Sequence, residues 1–295
     1  MTFLNEIKNE LLNLRIKKQC CMASEVRGIL TFGAVGYGDG ALFGTESFEE
    51  AKRISIFLRK VCNIDFAERL DEEAGSYKFV IPESILSELG LEVNGTLIAE
   101  KENRESSVCC MRAFIRGAFI ASGSAANPNK AYRVEIFTES KPLCDKAFDI
   151  ISTLGVDCKK VKRKNLFVIY GNNSENASDI LKVAEASGAV FKMLDIKIEK
   201  EKRNRANRIT NFDMANIDRI NANSEREADA IRLIAEKAGL DTLKPQLRAV
   251  AMLRLENEGA SLMELCEMCD PPLAKSTLKN RLNKLIQIAK ELSDD

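Results

Sequence analysis

Apolar residues along the first 190 positions follow strand-like and helix-like spacings, and the order of these patterns occurs twice. Alternation, as in Tyr132, Val134 and Ile136, predicts strands, whereas stripes spaced by three or four residues predict helices. In the first half, we predict in order a strand, a helix, two strands and a helix over 41–46, 48–61, 64–70, 77–81 and 84–89. In the second half, the same elements fall over 132–138, 143–154, 156–161, 166–170 and 176–186. This repeated order predicts an internal duplication joined near 100–107.

Each half is preceded by an apolar helical run in which arginine is followed by glycine. Arg27 and Gly28 lie in the run 26–34, and Arg116 and Gly117 lie 89 positions later in the run 115–123. A glycine inside a helix costs about 0.5–1 kcal/mol relative to alanine, so two at matching positions indicate a packing role. We expect the two helices to pack with their backbones close at Gly28 and Gly117, with Ala121 in the same seam. The alternative is two unrelated helices that each contain a glycine.

The sequence from position 243 onward predicts three helices separated by tight turns. The first covers 243–255, and the second begins with Ser261 and Glu264, which have the spacing of a capping box. Two consecutive prolines after Asp270 must end this second helix, because proline lacks a backbone donor and excludes helical geometry from the residue before it. The third helix covers 276–292. This arrangement is typical of a helix-turn-helix module.

One face of the third helix carries an apolar stripe of Leu278, Leu282, Leu285, Ile286 and Ala289, which should pack on the other helices. Between positions 275 and 290 there are five basic residues and no acidic residue. Asparagine can bond an adenine edge, while lysine and arginine reach guanine or phosphate. The candidate DNA-binding residues are Lys275, Ser276, Thr277, Lys279, Asn280, Arg281 and Lys284. The alternative is a surface helix whose lysines serve solubility.

Two further basic runs are candidate phosphate contacts. The first, at the turn of the second-half strand pair, offers Lys160, Lys162, Arg163 and Lys164, whereas the related first-half hairpin carries acids at 65, 68 and 71–73. A symmetric placement of both halves on DNA is therefore disfavoured. The basic hairpin alone either contacts a phosphate backbone or is a solvated, highly charged turn. The second run offers Lys202, Arg203 and Arg205. It belongs to a polar bridge over 191–222, which we expect to be irregular or a helix stabilised by its neighbours. This bridge is either an ordinary linker or a basic arm that docks on DNA once the C-terminal domain is bound.

The amino-acid composition limits which ligands and reactions the chain can support. The 44 basic and 44 acidic residues cancel, so any attraction to nucleic acid must come from local patches. The chain has no histidine, which removes the usual acid–base group and a common zinc ligand. We interpret all nine cysteines as structural in a reducing compartment, including the adjacent pairs at 20–21 and 109–110 and the lone CxxC at 266–269. No metal and no cofactor are expected.

No segment approaches the roughly 18 uninterrupted apolar residues of a membrane span. Residues 1–18 mix apolar and charged positions, which favours an amphipathic helix over a signal peptide. We therefore expect a cytoplasmic, nucleoid-associated protein with neither a membrane partner nor a small-molecule substrate.

The two motif helices resemble the LAGLIDADG helices of homing endonucleases, which have this duplicated architecture. In that family, the eighth motif position is acidic, and the pair of acids binds divalent metal at the seam. Gly33 and Ser122 stand at those positions here. Neither side chain can replace a carboxylate as a ligand of a hard cation, so no catalytic residue is assigned.

The combination of a LAGLIDADG-like domain without its acids and a C-terminal helix-turn-helix resembles the WhiA family of bacterial regulators. The resemblance covers essentially the whole chain and rests on the stretches 27–34, 116–124, 211–218 and 271–282. It implies sequence-specific binding to double-stranded DNA, tied to transcription and cell division and, in spore formers, to sporulation. Relatives commonly have a histidine where this chain has Asn280, which leaves the target sequence open.

The expected fold class is α+β: a duplicated LAGLIDADG-like α/β saddle followed by an all-α helix-turn-helix domain. We expect an N-terminal helix (1–20), two halves (21–100 and 108–190), a basic linker (191–222) and a DNA-binding domain (223–295). The expected function is transcriptional regulation through DNA without nuclease activity, with a transcription or cell-division protein as a further partner. Alternatives are a cell-division scaffold with incidental DNA binding, or a metal-dependent nuclease using displaced acids such as Glu135 or Asp39.

Overall fold

The computed structural model describes residues 2–64, 71–73, 75–101 and 104–294. These residues form two compact units, Met1–Lys200 and Glu201–Asp295. Helices and antiparallel sheets make up the first unit, and the described part of the second unit is helical. The α+β class expected from the sequence is thus confirmed.

The first half of the first unit contains a lone helix, a motif helix and the elements of one sheet. Its elements are α1 (Phe3–Asn13), α2 (Gln19–Gly33), β1 (Val35–Tyr37), β2 (Gly40–Thr45), α3 (Phe48–Cys62), β3 (Asp71–Glu73), β4 (Ser76–Ile81), α4 (Glu83–Glu88), β5 (Leu91–Asn94) and β6 (Leu97–Glu100). The sheet order is β1-β2-β4-β3, and β5 pairs with β6 as a separate hairpin.

The second half repeats the motif helix and the sheet. Its elements are α5 (Val108–Ser122), β7 (Gly123–Ala125), β8 (Val134–Thr138), α6 (Lys141–Thr153), β9 (Lys159–Arg163), β10 (Leu166–Gly171) and α7 (Ser174–Val183). The sheet order β7-β8-β10-β9 matches the first sheet strand for strand, and all pairs are antiparallel. The internal duplication is therefore present at the level of topology.

The strands that the sequence did not indicate are the shortest ones. β1 and β7 have three residues each, and the β5–β6 hairpin has two strands of four residues, too few for a period-2 pattern to stand out. Most of the strand predicted over 64–70 lies outside the described residues. The strand predicted from Tyr132 begins at Val134.

The two motif helices pack against each other through their glycines. A Cβ atom at Gly28 would overlap the carbonyl oxygen of Phe114, and one at Gly117 would overlap the carbonyl oxygen of Glu25. Only glycine allows this close approach of two backbones. At the C-terminal end of the seam, a Cβ on Gly33 would lie 3.0 Å from the Cβ of Ala121.

The arginines of the two motifs are among the largest fully buried side chains of the described chain. Arg27 pairs with Glu105, at 2.9 Å, and with Glu100, at 3.1 Å. Arg116 pairs across the seam with Glu25, at 2.6 Å, and also with Glu185. Because buried charges are tolerated only when they are paired, these contacts explain why an apolar helix contains an arginine at this place.

The second unit continues from the helix α8 (Ser187–Lys237), in which the boundary between the units falls. Of the two interpretations of the segment 191–222, the structure has the helix. The chain carries no glycine or proline from Ala189 to Ala238, so nothing interrupts the helix before Gly239, whose φ is +80°. Glu10 of α1 accepts hydrogen bonds from the backbone N–H groups of Gly188 and Ala189 at its start.

Three further helices complete the second unit: α9 (Pro245–Glu256), α10 (Leu262–Met268) and α11 (Lys275–Asp294). A short 3-10 turn, Leu240–Thr242, precedes them. Their apolar faces share one core with the end of α8, formed by Ile231, Ile234, Leu243, Val250, Ala251, Leu265, Cys266, Leu278, Leu282, Leu285 and Ala289. Among the helices of the described ranges, none combines the length and the hydropathy that crossing a membrane requires.

Candidate nucleic-acid interface

Local hydrogen bonds fix the start of α10. The Ser261 hydroxyl accepts a hydrogen bond from the Glu264 N–H, at 3.3 Å, and the Glu264 carboxylate accepts one from the Ser261 N–H, at 2.7 Å. This is the capping box predicted from the sequence. The backbone hydrogen bond stabilises the ionised carboxylate and lowers the pKa of Glu264.

The turn between α10 and α11 is set by the double proline. Residues 269–274 leave the helical conformation, and the Leu273 N–H donates back to the carbonyl oxygen of Cys266, at 3.1 Å. The Leu278 N–H then donates to the Ala274 carbonyl oxygen, which begins α11. α10, this turn and α11 therefore form a compact helix-turn-helix.

The faces of α11 follow the apolar stripe. Leu278, Leu282, Leu285 and Ala289 are buried, while Ile286 is half-buried at the edge. Six of the seven candidate DNA-binding residues are exposed: Lys275, Ser276, Thr277, Lys279, Asn280 and Lys284. The seventh, Arg281, is half-buried and lies 3.4 Å from the Gln246 amide oxygen of α9. The first three turns of α11 thus present a polar, basic face to solvent.

The buried Arg254 connects several helices of the second unit through its side-chain contacts. Arg254 of α9 is 2% exposed and pairs with Glu227 of α8, at 2.8 Å. It also donates to the Ser224 hydroxyl, at 3.2 Å, and to the Ala260 carbonyl oxygen just before α10, at 2.7 Å. Burial raises the pKa of Glu227 despite this partner. Arg254 therefore ties together α8, α9 and the approach to α10, which supports α11.

A cleft of about 290 Å³ runs along the N-terminal half of α11. Lys275, Lys279 and Asn283 line one side of it, and Asn223 and Arg226 of α8 line the other. Arg226 is exposed. The sequence did not single out Arg226, because it lies 49 positions before Lys275 and only the fold brings the two together. Within its own segment, nothing distinguishes it from other surface arginines.

The basic hairpin of the first unit is only partly available to a phosphate. On β9, Lys160 pairs with Asp145, at 2.5 Å, which lowers the pKa of that carboxyl, and Arg163 pairs with Glu135, at 2.7 Å. Lys162 lies over the Phe167 ring, 5.4 Å from its centroid. Lys164 occupies the turn with φ +54°. All five residues of β9 are exposed.

The second basic run lies on the part of α8 that belongs to the second unit. Lys202, Arg203 and Arg205 are all exposed. They point outward from a regular helix and not from an irregular arm. They lie within about one turn of the helix and give a local positive charge.

The positions of the homing-endonuclease acids carry no carboxylate. Gly33 packs against Ala121, and the Ser122 hydroxyl donates to the carbonyl oxygen of Ala118 in its own helix, at 3.2 Å. The displaced acids considered for a nuclease lie elsewhere: Glu135 pairs with Arg133, at 3.3 Å, and with Arg163. Asp39 is exposed in the turn between β1 and β2. Within the described ranges, neither acid belongs to a group of three or more residues that could hold one ion.

Comparison with known proteins agrees with this arrangement. A family model of the WhiA LAGLIDADG-like domain matches residues 111–203, and one of the WhiA C-terminal HTH domain matches residues 206–289. A protein of Alkaliphilus metalliredigens named probable cell division protein WhiA is 32% identical over 309 residues, 98% of each chain. A protein of the same name from Ruminiclostridium cellulolyticum is 30% identical over 307 residues, 99% of this chain and 98% of that protein.

A solved structure shows the same fold. The crystal structure of full-length WhiA from T. maritima matches with a TM-score of 0.56 and 24% identity, covering 99% of both chains. Fold and site together define a LAGLIDADG-like domain followed by a helix-turn-helix DNA-binding domain. The chain belongs to the WhiA family, as its motifs predicted.

Proposed function

We propose that this protein is a sequence-specific DNA-binding transcriptional regulator that acts in cell division and does not cleave DNA. The observation that carries the proposal is the exposed face of α11, which presents Lys275, Lys279 and Lys284 with Asn280, and there is no acidic residue from Lys275 to Lys290. In helix-turn-helix proteins, the N-terminal part of such a helix enters the major groove.

Each side chain on this face has a role that follows from its chemistry. Asn280 bonds an adenine edge, and Lys279 and Arg281 reach guanine or phosphate. Lys275, Ser276 and Thr277 lie in the first turn, where backbone N–H groups also attract phosphate. Across the cleft, Arg226 adds a phosphate contact that positions the helix.

The other basic patches supply contacts that carry no sequence information. Lys202, Arg203 and Arg205 of α8 are exposed and can each neutralise a phosphate. On the hairpin, we assign phosphate contacts first to Lys162 and Lys164, since Lys160 and Arg163 already have carboxylate partners. These contacts add salt-dependent affinity to the reading of bases by α11.

The absence of nuclease activity follows from the residues at the seam. Metal-assisted cleavage needs carboxylates that hold the ion, and Gly33 and Ser122 provide none. Supercoiled plasmid incubated with the protein and Mg²⁺ or Mn²⁺ should stay intact. Nicking that the variant Glu135→Gln abolishes would contradict this and would favour a nuclease with displaced acids.

The link to cell division rests on the relatives, which are named probable cell division proteins and align over nearly the whole chain. A function in regulating division genes would explain both the name of the relatives and the presence of a helix-turn-helix domain. In a spore-forming host, the same regulator would extend to sporulation genes.

Selection of bound duplexes from a random library tests the proposal. The full-length chain should recover a defined motif, and Asn280→Ala should relax the choice at one base pair, with a loss of about 1–3 kcal/mol on the selected duplex. Lys290→Ala, at the far end of the same helix, is the matched control and should leave the motif unchanged. Recovery of no motif by the wild type would overturn sequence-specific reading.

A second candidate function is that of a scaffold for a division or transcription protein. One observation favours it: Ile209, Phe212, Met214 and Ile217 of α8 are all more than half exposed. Exposed large apolar side chains in one segment are typical of protein-binding surfaces. Phe212→Ser should then remove a co-purifying partner while DNA affinity is unchanged. An identical set of co-purifying proteins would count against the scaffold.

A further inference from the structure

Four cysteines meet where the two motif helices begin. Cys20 and Cys21 lie in the first turn of α2, and Cys109 and Cys110 lie in the first turn of α5. Their four Sγ atoms all lie within 4.8 Å of one another. The pairs are 89 positions apart, the same offset that separates Arg27 from Arg116. The duplication therefore places two matching pairs of sulfurs at one end of the seam.

This geometry suits a single metal ion. Zinc in a tetrathiolate site has Zn–S bonds of about 2.3 Å, which places the sulfurs about 3.8 Å apart at tetrahedral angles. Sulfurs already within 4.8 Å need to move together by at most about 1 Å. An iron–sulfur cluster with two iron ions would require the two pairs of cysteine sulfurs to lie further apart. Four sulfurs without histidine or carboxylate also select a thiophilic ion over a hard one.

Burial of the cluster is graded. Cys21 and Cys110 are buried, Cys109 is partly exposed and Cys20 is exposed. The sequence led us to interpret all nine cysteines as structural, and the exposed position of Cys20 gives that residue no part in an apolar core. An ion can enter from the solvent side at Cys20 and Cys109, while the buried Cys21 and Cys110 provide ligands held in place by packing.

The surroundings offset the charge that four thiolates would bring. All four cysteines lie in the first turn of a helix, where the positive end of the helix dipole favours thiolates. Beside Cys21 and Cys109 runs a groove of about 560 Å³ that Arg15, Lys17, Lys18 and Arg112 line. The Ser107 hydroxyl lies 3.3 Å from the Cys109 sulfur, within reach of a supporting hydrogen bond.

We propose that Cys20, Cys21, Cys109 and Cys110 form a Zn²⁺ site that joins the two repeats. On binding, one Zn²⁺ takes four thiolate ligands and four protons leave to solvent, with no change of oxidation state. The site lies at the N-terminal ends of α2 and α5, whereas Gly33 and Ser122 are at their C-terminal ends, about 20 Å away along each 15-residue helix. The site is thus separate from the place where nuclease relatives hold their metal, and it ties the seam together.

Metal titration of the reduced, full-length chain tests this. One Zn²⁺ per chain should remain after dialysis, and Co²⁺ in its place should give the intense visible bands of tetrahedral thiolate coordination. Binding should protect Cys20 and Cys109, the two accessible thiols of the cluster, from alkylation. No stoichiometric Zn²⁺ or Co²⁺ would overturn the proposal. So would a reduced chain that takes up no metal but joins Cys20 to Cys109 on oxidation, since the cluster would then be a redox pair.

Variants locate the site. Cys20→Ser changes an exposed side chain, so the fold should persist, while the cobalt bands should weaken and affinity for Zn²⁺ should fall at least about tenfold. Cys109→Ser should have the same effect. Cys269→Ser, a partly exposed cysteine of the second unit, is the matched control and should bind as the wild type does. Equal binding by all three variants would overturn the assignment to these four cysteines.

Discussion

The seam helices α2 and α5 and the helix α11 both carry basic side chains, but they use them in opposite ways. Arg27 and Arg116 of the seam are at most 2% exposed, and each has carboxylate partners within the unit. Lys275 and Lys279 of α11 are exposed on a face that has no acidic residue. A cation that the fold has already neutralised stabilises architecture, whereas an exposed cluster without acids is available to a polyanion. This difference supports the proposal that the repeat domain has a structural role and that the C-terminal helix reads DNA.

The largest expected effect comes from breaking a charge pair of the seam. Glu25 is fully buried between Arg53 of α3 and Arg116 of α5. Glu25→Gln removes the carboxylate that Arg53 and Arg116 share and leaves Arg116 only its pair with Glu185, so we expect a loss of about 3–5 kcal/mol in the free energy of unfolding. Urea denaturation of the full-length chain measures it. Glu92→Gln, on an exposed carboxylate of β5, is the control and should be close to neutral. Equal stability of the two variants would refute the structural role of the seam charges.

A smaller loss is expected from separating the seam backbones. Gly117→Ala places a Cβ against the Glu25 carbonyl oxygen, so the helices must move apart, at a cost of about 1–3 kcal/mol in unfolding free energy. Gly259→Ala serves as the control, because no atom lies within 4 Å of a Cβ built there. Thermal unfolding compares the two. If Gly117→Ala matched or exceeded the wild type in stability, close packing at this glycine would not be what fixes the seam.

Unlike the buried charges of the seam, the cations of α11 should affect DNA affinity and leave the free energy of unfolding unchanged. The double variant Lys279→Ala/Arg281→Ala should lower the slope of log affinity against log salt by about 1.8, if each residue neutralises one phosphate. Affinity is measured across a salt series with the selected duplex. Lys290→Ala provides the reference. A double variant with the slope of the wild type would exclude both residues from phosphate contact.

The smallest effect is expected from the hairpin of the repeat domain. Lys162→Ala removes one exposed ammonium and should reduce the salt slope by at most about 0.9. Lys160→Ala is the matched variant on the same strand and should change the slope less, because Lys160 is already paired with Asp145. If Lys162→Ala reduced the salt slope more than the double α11 variant does, the repeat domain and not α11 would make most of the phosphate contacts.

The sequence predicted the fold well where periodicity was strong. The helices α3, α6 and α9 and the strands β2, β4, β8 and β10 begin and end within a few residues of their predicted bounds. The capping box of Ser261 and Glu264 and the buried stripe of α11 also follow directly from spacing. The three-residue strands β1 and β7 could not be found, because pairing with a neighbour and not local pattern makes them strands.

What the sequence missed in both units are contacts between distant segments. The charge pairs of Arg27 with Glu100 and Glu105 join residues more than 70 positions apart. Arg226 gains its place beside α11 only through packing. The four cysteines look like two awkward pairs in the sequence, and only the seam brings their sulfurs together. Local spacing reports which face of an element is apolar, but not which distant side chain completes a site.

The most direct test of the division of roles is a chromosome-wide map of binding by the wild type and by Lys279→Ala/Asn280→Ala, expressed at equal levels in the host. The wild type should occupy discrete sites that share one sequence motif, and the variant should lose those sites while it remains folded. Occupancy of the same sites by the variant would contradict it, because the repeat domain or a partner protein would then be choosing the DNA.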